Sequence, residues 1–157
     1  MRSNHDVCQA IDKYGDSIRR LCMIHLRSYD DTEDIFQTVF LKYAMHDDPF
    51  VSEEYEKAWF FRVALNACRD LLRRYFHSRA IPLDELINVP QDMMDSHKEV
   101  LEALLGLPEK YRIPLYLYYY EGYTAKEIGD ILKKNTNTVY SWINRGKAMI
   151  KEALTDE

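Results

Sequence analysis

Glycine and proline are scarce, at five residues each in 157, and with 30% charged residues that scarcity describes a soluble, helix-rich chain. Cysteine is rarer still. Cys8, Cys22 and Cys68 are an odd number without Cys-x-x-Cys spacing, which argues against both a disulfide framework and a zinc site. All three are expected to be reduced core residues. No apolar run approaches the ~20 residues that a membrane span needs, and the opening Met1, Arg2, Ser3, Asn4 and His5 begins no signal peptide, so the cytoplasm is the expected compartment. His5, His25, His46, His77 and His97 are scattered, with no partner at catalytic spacing. No enzymatic activity, catalytic residue, metal or cofactor is expected. What remains is apolar residues at 46% and aromatics at 13%, ample for a packed core. The length has room for one ordinary domain or two very small helical ones.

The formal net charge of −5 argues at first sight against a nucleic-acid binder, but its distribution reverses that impression. Between Asp30 and Glu56 nine acids (Asp30, Asp31, Glu33, Asp34, Asp47, Asp48, Glu53, Glu54, Glu56) face Lys42 alone. Between Arg62 and Arg79 five arginines face Asp70. Between Lys133 and Lys151 five bases occur and no acid. Charge segregated in this way predicts separate surfaces: one for a basic protein groove and two for phosphates.

Apolar residues recur at helical spacing almost throughout. Val7, Ile11, Tyr14, Ile18, Leu21 and Cys22 form one stripe, ending near Arg27. Ile35, Phe36, Val39, Phe40 and Tyr43 form a second, and Trp59, Val63, Ala67 and Leu71 a third that runs to about Phe76. No stretch alternates with period two for long enough to propose a sheet, so the expected class is all-α. Pro82 and Pro90 then interrupt the pattern in a polar stretch. The chain thus reads as two small helical domains, 1–78 and 95–157, joined by a flexible linker over 79–94.

Past the linker, Asp95 or Ser96 can cap a helix carrying Val100, Leu101, Leu104 and Leu105 that stops at Gly106. Pro108 suits the first turn of the next helix, to about Tyr120, with a kink or late start expected at Pro114. Thr124 and Glu127 have the spacing of a capping box, opening a short helix with Ile128, Ile131 and Leu132. After the polar turn Lys133, Lys134 and Asn135, a last helix begins near Thr136 with Val139, Trp142, Ile143, Gly146, Met149 and Ile150 on one side. Trp142 is therefore assigned to the core.

A short capped helix, a tight turn and a longer helix make a helix-turn-helix candidate. Opposite the apolar stripe of the longer helix stand Asn137, Tyr140, Ser141, Asn144 and Arg145. Asparagine and arginine side chains match the hydrogen-bonding edges of adenine and guanine, and Lys133, Lys134, Lys147 and Lys151 would meet phosphates. The plain alternative is an amphipathic helical hairpin with a basic solvent face. In the first half, Arg62, Asn66, Arg69 and Arg73 are spaced 4, 3 and 4 and share one helical face, with Arg74 beside it. Next to Trp59, Phe60, Phe61, Tyr75 and Phe76 that face suits single-stranded DNA, with charge for the backbone and rings for unstacked bases. Rings in the core and a solvated basic face explain the same pattern. Asp30, Asp31, Glu33 and Asp34 open the second helix, where acids complement its positive end.

Three segments carry a family resemblance. The run Asp31, Thr32, Glu33, Asp34, Ile35, Phe36, Gln37, followed by Phe40 and Leu41, resembles the polymerase-binding helix of sigma-70-family factors. Trp59, Arg62, Asn66, Asp70, Arg73 and Arg74 are similar to that family's −10 element helix. Leu107, Pro108 and Arg112, then Thr124, Glu127 and Ile128, and finally Thr138, Trp142, Arg145 and Lys147 resemble its −35 helix-turn-helix. With only the two outer domains and a linker, the chain is similar to the extracytoplasmic-function (ECF) group. The resemblance implies a sigma factor whose partners are core RNA polymerase and promoter DNA, with an anti-sigma factor as a candidate regulator. It implies docking on polymerase by Asp31, Asp34, Gln37, Phe40 and Leu41. Phe50 and Tyr55, in the loop from about Asp47 to Glu56, would accept a flipped base, and Arg62, Asn66, Arg69, Arg73 and Arg74 would hold the −10 strand. Lys133, Lys134, Thr136, Asn137, Thr138, Tyr140, Ser141, Asn144, Arg145 and Lys147 would contact the −35 duplex. Gly129, Lys134, Tyr140 and Trp142 depart from the family pattern, so the preferred −35 sequence does not carry over from relatives. Two rival readings are a stand-alone helix-turn-helix repressor and a sigma-like adaptor that no longer initiates transcription.

Overall fold

The computed structural model describes residues 1–78 and 100–155, and these are helical with no strand among them. They fall into two compact units, one on either side of residues 79–99. The expected linker over 79–94 and the expected cap at Asp95 or Ser96 lie outside the described residues.

The first unit is three helices: α1 (Asn4–Leu26), α2 (Tyr29–Met45) and α3 (Glu53–Ser78). Each start is a serine doing a cap's work. The side chain of Ser3 accepts from the Asp6 N–H, Ser28 from Asp31, and Ser52 from Tyr55, each taking one of the N–H groups that a first helical turn leaves without a partner. Acids in all three first turns add favourable charge at the positive helix ends. α1 stops where Arg27 adopts φ 58°, its N–H returning to the Met23 carbonyl. That left-handed turn is what lets α2 begin two residues later.

All three helices pack on one another. Ile18, Leu21, Cys22, Val39, Phe60, Phe61, Ala64, Leu65 and Cys68 form the core, each large member contributing about 1.5–3 kcal/mol through removal of its apolar surface from water. The buried face of α3 keeps Ala67 of the expected stripe but is otherwise rotated from it. Phe60, Phe61, Ala64, Leu65 and Cys68 are buried, whereas Trp59, Val63 and Leu71 are only half-buried. The helix meets both α1 and α2, so its buried arc is broader than one stripe and is centred between two partners.

Polar contacts tie the three together. The hydroxyls of Tyr14 on α1 and Tyr43 on α2 both donate to Glu56 on α3, at 2.8 and 3.2 Å. Burial, reinforced by that carboxylate, raises both phenols above their ordinary range. Cys22 and Cys68 are buried as expected, but Cys8 is exposed on the outer side of α1.

In the second unit, residues 100–105 are the described part of α4, followed by α5 (Glu109–Tyr119), α6 (Ala125–Leu132) and α7 (Thr136–Thr155). Arg112 of α5 is buried, and its Nη1 donates to the carbonyls of Leu105 (3.2 Å) and Leu107 (3.3 Å), closing the end of α4 with a cation. α5 starts at Glu109 and runs through Pro114 without interruption, against the expected late start. Ile113, Leu115, Tyr116 and Leu117 around it are all buried, and that packing outweighs the one backbone bond that proline removes.

The capping box on α6 is present in full: Glu127 N–H to Thr124 Oγ1 at 3.2 Å, and Thr124 N–H to Glu127 Oε1 at 3.0 Å. Val139, Ile143 and Gly146 are the buried face of α7, against α5 and α6. At Gly146 an added Cβ would run into the Leu115 side chain of α5, so α5 and α7 approach closely where that glycine lies.

Candidate protein- and nucleic-acid-binding faces

On α2, Asp34, Gln37 and Leu41 are spaced 3 and 4 and all are exposed, so they form one outward face. Leu41 is 63% exposed and Met45, four residues on, 67%. An acidic edge beside exposed apolar side chains is the make-up of a protein-binding surface rather than of a DNA-binding one. Two residues expected on this face stand elsewhere. Phe40 is 4% exposed, tilted against Phe36 (4.6 Å) and Phe60 (5.0 Å), and belongs to the core because its helical position is the inner one beside Val39 and Tyr43. Asp31 accepts a 2.6 Å hydrogen bond from the Tyr75 hydroxyl of α3, which holds that phenol up at about 12.

Much of the acidic run is likewise spent within the unit. Glu33 pairs with Arg19 at 2.9 Å, Glu53 with Lys13 at 2.5 Å, and Glu56 with the two tyrosines. The acidic surface is therefore smaller than the sequence suggested and centres on Asp34.

Between α2 and α3, residues 46–52 form a loop walled by rings. His46 lies parallel to Phe50 (centroids 5.0 Å apart) and tilted against Trp59 (5.1 Å), and Phe50 meets Trp59 edge-on at 5.7 Å. All three residues are half-buried. Tyr55, at 66% exposure, stands on the first turn of α3. The cluster brings together Phe50 and Trp59, both expected at the −10 surface, and adds His46 and Arg2, for which no such role was expected; the Arg2 guanidinium lies over the Tyr43 and Phe50 rings. Arg2 has no signature because its contacts lie more than forty residues away in the chain. His46 had one modest signal, an aromatic spacing to Phe50 across Pro49.

Along α3, Asn66, Arg73 and Arg74 are exposed and Arg62 and Arg69 half-buried, so the face with spacing 4, 3 and 4 does form on the outside of the bundle. Arg73 lies 3.8 Å from Asp70, a loose and solvated pair that leaves the cationic character of the face intact.

The second unit supplies a helix-turn-helix from α6, the turn 133–135 and α7. Asn137 N–H bonds to Asn135 Oδ1 at 2.8 Å, so the turn's own asparagine starts the longer helix. Asn137, Ser141 and Asn144, spaced 4 and 3, are exposed opposite Val139, Ile143 and Gly146. Tyr140 is 53% exposed at the margin of that open face, Thr136 and Thr138 are half-buried, and Lys133 and Lys134 are exposed at the turn. Arg145 is exposed on the flank of α7 that faces α5, where its positive charge, with that of Lys110, holds the Tyr111 phenol below its ordinary value. Lys147 is exposed with its Nζ 5.2 Å from the Tyr119 ring and 5.7 Å from that of Tyr118. Trp142, expected in the core, is half-buried, because it flanks the stripe rather than lying on it.

A three-helix unit with an acidic, apolar-edged face on α2, a ring-walled loop after it and a basic face along α3, joined in one chain to a helix-turn-helix unit, is the make-up of a promoter-recognition factor. Residues 10–77 match the family Sigma-70 region 2, and residues 97–150 match Sigma-70, region 4. The chain belongs to the sigma-70 family, in its ECF group. It is 28% identical to the ECF RNA polymerase sigma factor SigW of Bacillus subtilis, across 93% of this chain and 87% of that protein. It is 27% identical to the RNA polymerase sigma factor SigV of the same organism, across 88% and 84%. Among solved structures, the sigma factor RpoE in complex with the anti-sigma factor NepR from Bartonella quintana has the same fold, with a TM-score of 0.80 at 20% identity over 96% of this chain and 97% of that one. CnrH in complex with the cytosolic domain of CnrY gives 0.70 at 20% identity, over 99% and 91%. No described helix is long and apolar enough to cross a membrane.

Proposed function

We propose that this sigma factor divides its work between the faces described above, acting in the cytoplasm as a non-enzymatic specificity subunit of RNA polymerase. Residues 1–78 serve as region 2, 79–94 as the linker and 95–157 as region 4. Asp34, Gln37 and Leu41 dock on a basic groove of core polymerase, with Asp31 and Phe40 shaping the helix from within. The ring-walled loop with Phe50, together with Tyr55 from the first turn of α3 rather than from the loop, accepts a base from the opening −10 strand. A loop this acidic repels phosphate, so its contact is with the base itself. Arg62, Asn66, Arg69, Arg73 and Arg74 hold the strand's backbone. In region 4, Asn137, Ser141 and Asn144 address base edges of the −35 duplex. Lys133, Lys134 and Lys147 address its phosphates, and Thr136, Thr138, Tyr140 and Arg145 line the approach.

The net charge of −5 fits a factor that binds DNA weakly until polymerase organises it. An anti-sigma factor, the kind of partner present in the structure of RpoE with NepR, would compete for the same faces.

The observation that carries the reading is the separation of an acidic, apolar-edged face on α2 from the basic face of α3 within one small unit. Reversing Asp34 to lysine tests it. Affinity for core polymerase should fall by at least about 2 kcal/mol, as for a charge reversal in a partly desolvated interface, with helicity by circular dichroism unchanged. Undiminished affinity would remove α2 as the dock.

A further inference from the structure

Residues 47–52 belong to no helix, so the form of this loop has to be imposed from outside. Arg2 supplies that constraint at several points. Its backbone N–H donates to the Ala44 carbonyl at the end of α2 (2.8 Å), and its Nη2 donates to the Asp48 carbonyl in the loop (3.0 Å). Its guanidinium carbon lies 4.4 Å from the centroid of the Tyr43 ring and 5.4 Å from that of Phe50. Beside it the Met1 ammonium group lies 2.5 Å from Asp47 Oδ1. One side chain thus joins the end of α2, the loop backbone and the ring that closes the aromatic cluster. A guanidinium suits this place because its planar fork donates in plane to a carbonyl while its face lies against rings; an ammonium does one or the other.

We propose that Arg2 is a positioning residue for −10 recognition: it holds the Asp48 carbonyl and the Phe50 ring so that His46, Phe50 and Trp59 present one fixed surface to the unstacked base. This rests on the reading of the loop as base acceptor. Discrimination between bases needs the recognising groups held to a fraction of an ångström, whereas backbone and duplex contacts made by α3 and α7 do not depend on the loop. Loosening the loop therefore costs selectivity at one promoter position and spares the other interactions.

The test uses the full chain with core polymerase on a promoter set in which each −10 base is varied in turn, reading open-complex formation by permanganate reactivity. Arg2→Ala should flatten the preference at one position by roughly fivefold or more, as expected when a base-discriminating contact is lost. Arg2→Lys should fall between wild type and Arg2→Ala, and −35 preference and affinity for core polymerase should be unchanged in both. Phe50→Ala, run in parallel, should flatten the same position. If Phe50→Ala alters the preference and neither Arg2 variant does, the positioning role is wrong while the loop remains the base acceptor. If Phe50→Ala leaves the preference untouched, the base-acceptor reading fails and the role of Arg2 with it. An equal loss on every −10 variant for both Arg2 substitutions would also overturn it, since that pattern marks general stability rather than positioning.

Discussion

The Tyr75 hydroxyl donates to Asp31 Oδ1 at 2.6 Å, joining the far end of α3 to the first turn of α2. This places an acid of the helix proposed to dock on polymerase in the service of the bundle. The bond is charge-assisted and partly solvated, so Tyr75→Phe should cost about 1 kcal/mol, less than a buried bond of that kind. The phenol is pushed up to about 12, from an ordinary value of 10.0. A folded-state value above the unfolded one means that the stabilisation is fully present below pH ~10 and is lost as pH rises toward ~12. The difference in urea midpoint between wild type and Tyr75→Phe should therefore be constant from pH 6 to about 9 and shrink above it. A difference that grew with alkalinity would contradict the assignment.

The turn of the helix-turn-helix depends on Gly129. Lys133 adopts φ 57°, and its N–H and that of Lys134 both return to the Gly129 carbonyl. A Cβ on Gly129 would then lie 2.6 Å from the Lys134 carbonyl oxygen, so an alanine does not fit this turn. Gly129→Ala should destabilise the second unit by roughly 2 kcal/mol, although helix propensity alone would favour alanine by about 1 kcal/mol. Trp59 and Trp142 are the two tryptophans, so in a Trp59→Phe background the fluorescence of Trp142 reports this unit alone. An unfolding midpoint that stayed level or rose would show that the turn yields.

Asn144 and Lys147 should fail in different ways. Asn144 stands on the open face of α7, and its loss should cost about 1–3 kcal/mol on the preferred −35 element and relax discrimination at one or two base pairs. Lys147→Ala should weaken all sequences alike and lower the salt slope by about one. Binding of the full chain with core polymerase to a −35 duplex library at two salt concentrations separates the two. Uniform losses for both variants would mean that α7 contributes charge alone.

The all-α class, the order of the helices and the start of α6 were legible in the sequence because they follow from local chemistry: apolar residues at helical spacing and the Thr124–Glu127 box. The start of α3 was not, since the expected loop ran to Glu56 and the helix begins at Glu53, capped by Ser52. The basic face of α3 and the polar face of α7 were legible for the same reason, being fixed by spacing along one helix. Contacts across the fold were not. Glu56 is bound by Tyr14 and Tyr43, and Asp31 by Tyr75, so acids counted toward a surface became internal ties through residues with no local signature. Phe40 and Leu41 are neighbours in one motif, yet the helix turns one inward and the other out. Arg145 was singled out for base reading and lies beside Tyr111, because α5 packs on that flank of α7.

Multiple-round transcription from a randomised promoter library by purified core polymerase, with and without this chain, addresses promoter direction itself. With the chain present, transcripts should start from a restricted set sharing one −35 and one −10 element, and without it the set should vanish. The chain alone should shift no promoter duplex at physiological salt. Tight duplex binding by the chain alone, with no added transcript in the presence of polymerase, would contradict promoter direction and mark a stand-alone helix-turn-helix regulator.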